Sequence, residues 1–274
     1  MAEVRPTTQT PAPAPSAGGL YDADYYASHC GEPYGREQVW LEFFGAIAQR
    51  LVAQIRPGSV LDVGCASGLL VEALRERGVD AWGIDISEYA LGQVAPAMRA
   101  FCRLAQATEP LGRRYDLIVC IEVVEHLTAE DGLRVIDNLC AHTDDIVFSS
   151  SPLDRDEPTH LNVQEPEIWA TLFAERGFVR DVEFDGSPIN AWAMRLRRSD
   201  AARPRLVHDY ERLLWRLRQD ALALARALGA SEAERHASVR QLDAEIARQT
   251  QVIEVLLSSR ALRLGRWLRS LIGR

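Results

Sequence analysis

Two carboxylates and an imidazole, Glu122, Glu125 and His126, stand directly behind the apolar run Tyr115-Asp-Leu-Ile-Val-Cys120. A second imidazole, His160, follows in the polar stretch Pro152-Leu-Asp-Arg-Asp-Glu-Pro-Thr-His-Leu-Asn-Val163. Groups of these types at this spacing suit a solvated helix start, a general base with orienting partners, or a mixed oxygen and nitrogen set for a divalent cation. Upstream, Val60-Leu-Asp-Val-Gly-Cys-Ala-Ser-Gly68 carries a carboxylate, Asp62, into a loop of small residues before the helical pattern Leu-Leu-Val-Glu-Ala-Leu. Such a strand–loop–helix turn lets a backbone approach a ligand closely. A further carboxylate, Asp85 in Gly83-Ile-Asp-Ile86, ends the next apolar run, where it can accept from a ribose hydroxyl pair.

The elements that must hold these groups are legible as alternating short apolar runs and helical periodicity from Val60 to about Arg197, which predicts an α/β fold with a mostly parallel sheet covered on both faces. Strands are expected at Val60–Val63, Ala81–Asp85, Phe101–Leu104, Asp116–Ile121 and Ile146–Ser149, with Phe178–Phe184 and Ala191–Arg197 as an antiparallel closing pair. Helices are expected near Leu69–Arg77, Tyr89–Arg99 and Gly132–Cys140, and at Glu167–Arg176 behind Pro166. Glu37–Ile55 has helical spacing and stops at Arg56-Pro57-Gly58, so residues 21–58 read as an N-terminal helical cap on a domain spanning 59–198. Residues 1–20, rich in Pro, Ala, Thr and Ser, read as a disordered leader with neither a signal peptide nor a membrane span.

From residue 199 the composition turns to Leu and Arg. Tyr210, Leu214, Leu217, Ala221, Leu224 and Leu228 form a heptad seam; Gly229 is expected to break it, and Ser231 with Glu234 to cap a new helix. Val239, Leu242, Ile246, Gln249, Ile253 and Leu256 resume the seam. This arm suits a helical hairpin, a coiled coil between copies, or helices packed on the domain. The segment Arg260–Ile272 alternates Arg with Leu, Trp and Ile and suits contact with an anionic membrane surface, or packing on its own coil.

Charge and residue usage narrow the chemistry. Net charge is -8, which argues against a general nucleic-acid footprint. All 31 basic residues are arginine, so Schiff-base lysine chemistry and a P-loop lysine are excluded. The five cysteines are widely spaced without a CxxC pair, which fits a reducing cytoplasm.

The DxGxxxG string from Asp62 to Gly68, with Ile-Asp-Ile one strand–helix unit later and IEVVEHL at the fourth strand end, resembles class I S-adenosylmethionine-dependent methyltransferases, over roughly Tyr21 to Arg197. The resemblance implies a Rossmann-like fold with a seven-stranded sheet and S-adenosylmethionine as cofactor. It places Gly64, Cys65, Ala66 and Gly68 at the methionine part, Asp62 at its amino group, Asp85 at the ribose, and Ile86 and Gln106 at the adenine. Ala66 stands where the family usually has glycine. Tyr26, in Tyr21-Asp-Ala-Asp-Tyr-Tyr26, would close over the cofactor, and Ile121 would lie beside it. Glu122, His126 and His160 are then the catalytic candidates, either histidine serving as base. Neither an Asn-Pro-Pro-Tyr-like motif nor a Pro-Cys nucleophile is present, so oxygen is the expected acceptor atom. The cap, the His-Leu-Asn loop and the heptad tail resemble methyltransferases of bacterial glycan assembly, implying a sugar or other small polar acceptor. A second resemblance, to the ExxEH…H ligand set of metal-dependent RNA 2′-O-methyltransferases, would group Glu122, Glu125, His126 and His160 around a divalent metal. A coiled-coil scaffold with a vestigial pocket is the non-enzymatic alternative.

Overall fold

The computed structural model describes residues 17–29, 33–153 and 155–258. It divides into two units that meet in sequence at Ala202 and Arg203. The first is a seven-stranded sheet in the order β3-β2-β1-β4-β5-β7-β6. Its strands are β1 (Ser59–Val63), β2 (Asp80–Asp85), β3 (Cys102–Leu104), β4 (Leu117–Ile121), β5 (Asp145–Ser149), β6 (Phe178–Arg180) and β7 (Met194–Arg198). All neighbours pair in parallel except β7, which runs antiparallel to both β5 and β6. The class I methyltransferase-like architecture expected from the sequence is therefore the observed one.

The central strands are apolar on both faces because both are covered, as parallel sheets require. On one face α2 (Gln38–Gln54) and α3 (Leu69–Arg75) bury Ile47, Leu51, Leu70 and Leu74 against Val60, Ala81 and Val119. On the other, α5 (Ala129–His142) and α6 (Pro166–Ala174) bury Val135, Leu139, Trp169 and Phe173 against Leu61, Ile118 and Phe148. Local chemistry sets the helix starts. Thr128 accepts from the Asp131 amide at the head of α5, and Asp22 accepts from Asp24 and Tyr25 at the head of α1 (Ala23–Ser28). The chain reverses between β1, whose successors run to one sheet edge, and β4, whose successors run to the other; ligand crevices of open α/β sheets form at this point, outside the strands' carboxyl ends.

Several expected boundaries move. The helix expected at Tyr89–Arg99 is only α4 (Glu88–Gly92), because Gly92 and then Pro96, which lacks an amide and disfavours helical geometry in the residue before it, end it early. The expected strand Phe178–Phe184 stops at Arg180, where Asp181 folds the chain by accepting from the Glu183 and Phe184 amides. The expected strand Ala191–Arg197 starts only at Met194, since the Asn190 side chain accepts from the Trp192 amide and holds a turn. The last residues of the expected leader, Ala17–Leu20, form a 3₁₀ turn; the rest of it lies outside the described residues.

The second unit contains α7 (Arg203–Ser258), a continuous helix of 56 residues. Gly229 does not interrupt it and Ser231 does not cap a new one. A single interior glycine costs about 1 kcal/mol relative to alanine, and the neighbouring Ala, Leu, Glu and Arg favour the helix. A hairpin within Arg203–Ser258 is thereby ruled out. The Arg260–Ile272 segment lies outside the described residues, and no helix among those described is long and apolar enough to cross a membrane.

Candidate active site

At the end of β1 the chain passes through three left-handed residues, Gly64 (φ 80°), Ala66 (φ 44°) and Gly68 (φ 72°). The Gly64 and Cys65 amides donate to the Ile84 carbonyl at 2.9 and 3.0 Å, which folds the loop onto β2. A Cβ on Gly64 would lie 2.3 Å from Cγ2 of Val123, and one on Gly83 would lie 2.6 Å from Sγ of Cys65. Both glycines are required by close approach. Asp85 ends β2 with its carboxylate accepting from the amides of Ala66 and Ser87, each at 2.7 Å, while burial pushes it up from the ordinary carboxylate value. Asp62 is buried beneath the loop, and burial together with the Asp85 charge raises it to about 7. Ile86 and Ile121 are half-buried at their strand ends. Gln106 is exposed in the turn after β3, its carbonyl accepting from the Glu109 amide.

Tyrosines from the N-terminal cap roof these carboxylates. The Tyr21 carbonyl accepts from the Ser87 hydroxyl at 2.6 Å, pinning the cap to the end of β2. Tyr26 stacks on Tyr89 with ring centroids 5.9 Å apart and packs against Tyr34 at 5.6 Å. Burial, reinforced by the Asp85 charge, raises the Tyr26 phenol far above its usual value and lifts Tyr21 to about 12. The Glu125 charge also contributes at Tyr21, so that ring adjoins both carboxylate groups.

The second half of the site starts where β4 ends. Glu122 is left-handed (φ 53°), and its amide donates to the Ser149 carbonyl at 3.1 Å. One carboxylate oxygen, Oε1, accepts from Ser149 Oγ at 2.7 Å, Trp192 Nε1 at 3.0 Å and Asn190 Nδ2 at 3.1 Å. A 3₁₀ turn, Val124–His126, follows. Glu125 is 0% exposed; its carbonyl accepts from the amides of Leu161 and Asn162, and its Oε1 from the Ser151 amide. It therefore ties the 151–162 loop to the β4 end. Burial, then the neighbouring Glu122 charge, pushes its carboxyl to about 8.

His126 is held by that same loop. Its Nδ1 lies 3.2 Å from the Thr159 carbonyl and 3.1 Å from the Thr159 hydroxyl, and its Nε2 lies 3.5 Å from the Tyr25 hydroxyl. A carbonyl only accepts, so these partners assign the proton to Nδ1 and leave the Nε2 lone pair facing the cap. Burial and the adjacent His160, 4.7 Å away between ring centroids, lower His126 to about 4, so it is neutral at pH 7. The loop is fastened to the cap by His29 and Glu157, 3.1 Å apart.

The structure thus brings Glu125, His126 and His160 together, with potential ligand atoms all within 4.8 Å of one another. Glu122 stands apart from that group, one of its oxygens occupied by three donors. Tyr25, Thr159, Ser149, Asn190 and Trp192 were not singled out from the sequence. For Asn190 and Trp192 the available signal was Ser187-Pro-Ile-Asn190, whose proline and asparagine favour a loop over a strand.

A family model for the methyltransferase domain matches residues 36–183. Among curated relatives, a ubiquinone biosynthesis O-methyltransferase of Leptothrix cholodnii is 36% identical over 89 residues, covering 29% of this chain and 37% of that protein. The same-named enzyme of Bordetella avium is 36% identical over 88 residues, covering 29% and 36%. The chain spans little more than a third of the length of these relatives. The solved magnesium protoporphyrin IX methyltransferase of Synechocystis, described with bound S-adenosylmethionine, shares the fold at a TM-score of 0.53 and 19% identity, covering 69% of this chain and 100% of that one.

Proposed function

From the chain's membership of the methyltransferase-domain family we propose that it is an S-adenosylmethionine-dependent enzyme that methylates a hydroxyl of a small polar acceptor, a sugar or comparable metabolite, with His126 as general base. The residues present fit the cofactor. Asp62 offers a buried carboxylate for a cationic amino group, Asp85 offers acceptors for ribose hydroxyls, and Gly64 lets the loop pack directly against Val123, where any side chain would collide. When bound, the cofactor supplies an electrophilic methyl group on a sulfonium centre. The chain's own task is to align a hydroxyl, exclude water and remove a proton.

The observation that carries the assignment is the bond from His126 Nδ1 to the Thr159 carbonyl. It fixes the ring and its tautomer, presents Nε2 as proton acceptor, and stabilises the imidazolium formed when the proton arrives. Glu122, immobilised by Ser149, Asn190 and Trp192, would orient the acceptor from the other side of the β4 end. His160 packs against His126 and would shape the same pocket. The curated relatives' names support oxygen as the acceptor atom. The test is a panel of sugar and other polyhydroxyl acceptors scored by S-adenosylhomocysteine release. His126→Gln should lower turnover roughly a hundred- to ten-thousandfold while cofactor affinity is retained. Undiminished turnover would remove His126 from the role.

A second reading rests on the clustering of Glu125, His126 and His160: a divalent metal there would replace the proton acceptor by polarising the hydroxyl. It predicts that chelation abolishes turnover and that Mg²⁺ or Mn²⁺ restores it. We further propose a cytoplasmic setting, supported by the free thiols of Cys65, Cys102, Cys120 and Cys140, and self-association through α7.

A further inference from the structure

Along α7 the apolar seam is exposed at the described residues. Exposure runs from 40% at Leu214 to 72% at Leu224 in the first half, and Val239, Leu242 and Ile246 in the second are 50%, 63% and 62% exposed. Because the helix is uninterrupted, the two half-seams are joined by the eleven-residue step from Leu228 to Val239. Eleven residues make three turns to within about 20°, so both halves lie on one stripe, a heptad pattern with a four-residue insertion at its centre. The stripe belongs to a helix about 84 Å long. A continuous apolar stripe on so long an exposed helix is expected to be covered.

Charge distinguishes the possible coverings. Residues 203–230 carry six arginines against three carboxylates, whereas residues 231–258 carry three against five. A parallel pair of helices would set like-charged halves against each other, and an antiparallel pair sets the basic half of each against the acidic half of the other. That arrangement also sets apolar side chains against each other. When Leu224 of one copy faces Val239 of the other, Ala221 faces Leu242 and Leu217 faces Ile246. The two-fold centre then falls between Ser231 and Glu232.

We propose that α7 pairs with a second copy of the chain as an antiparallel two-stranded coiled coil centred between Ser231 and Glu232. The inference rests on self-association through this helix and adds its orientation and register. The experiment uses the full chain carrying Cys30→Ser. Sedimentation should give a dimer, and the paired substitution Leu217→Asp with Leu224→Asp should give a monomer that still binds S-adenosylmethionine. Chains carrying Leu224→Cys, mixed with chains carrying Val239→Cys, should cross-link to each other under mild oxidation, each alone doing so poorly. A monomeric or higher-order parent chain, or a dimer that survives the aspartates, overturns self-association through α7. A dimer in which Leu224→Cys chains cross-link among themselves, and not to Val239→Cys chains, overturns the antiparallel orientation alone.

Discussion

The two halves of the proposed site, one for the cofactor and one for the acceptor, sit at the ends of adjacent strands, β1 and β4, and are built on different principles. The cofactor half is made of backbone: left-handed residues, glycines at close approach, and a carboxylate that accepts from two amides, all within Asp62–Ser87. The acceptor half is made of side chains delivered by three separated stretches, around 122–126, 149–162 and 190–192, with a tyrosine from the cap. A backbone-built surface tolerates few substitutions but needs few neighbours. A side-chain-built one can change what it accepts by changing loops, which suits the half that meets a variable substrate.

Four changes probe that contrast, in falling order of expected effect. Gly64→Ala strikes the backbone half directly, placing a Cβ 2.3 Å from Cγ2 of Val123 at a φ of 80°. Strain of about 1–3 kcal/mol should weaken cofactor binding roughly 10- to 100-fold by calorimetry; unchanged affinity would show that the loop's shape is not what recognises the cofactor.

Acidity probes the same half more gently. Asp62 is protonated below about pH 7, and a cationic amino group needs it ionised, so affinity should fall about tenfold per pH unit below that value, with proton release on binding near neutrality. Titrations in buffers of different ionisation enthalpy measure both. A flat profile would detach Asp62 from the cofactor.

In the acceptor half, folded Glu125 keeps its proton up to about pH 8, whereas the unfolded chain releases it near the ordinary 4.5. The native state then holds the extra proton between those values, so this contribution to stability is complete below 4.5 and is lost as pH rises through 8. Glu125→Gln keeps the shape without the titration, and its Tm should fall less than the parent's between about pH 7 and 8, above the ordinary histidine value of 6.5 and the Asp62 value of about 7. Parallel Tm curves would refute it. The smallest effect is a gain: Ala66→Gly relieves a left-handed alanine (φ 44°), which is worth about 1 kcal/mol and roughly 2–4 °C in Tm. No gain would mean that the loop is unstrained there.

The contrast also explains what could be read in advance. The cofactor half is contiguous, so Asp62, Gly64, Gly68 and Asp85 announce themselves through spacing, and the strands follow from a pattern of short buried runs. Gln106 was placed by analogy alone, and it lies exposed after β3. In the acceptor half His126 and Glu125 could be named, but not what they touch. Whether Glu122 joins His160 or turns towards Trp192 depends on which way a left-handed residue aims its side chain, and on a loop that looked like a strand. Gly229 misled for another reason: a glycine that would end a short helix is absorbed in a long one whose neighbouring Ala, Leu, Glu and Arg favour it.

Val123 belongs to the acceptor turn, yet its methyl group occupies the space that a side chain on Gly64 would fill. The two halves therefore share a wall one methyl thick. We predict that what the loop of small residues gains or loses in freedom when its ligand arrives reaches the peptide that carries Glu122, and reciprocity then requires the acceptor to return the same factor to the cofactor's affinity. Measured dissociation constants for either ligand should accordingly depend on the presence of the other, a cooperativity that needs no moving domain, only a valine with nowhere else to go.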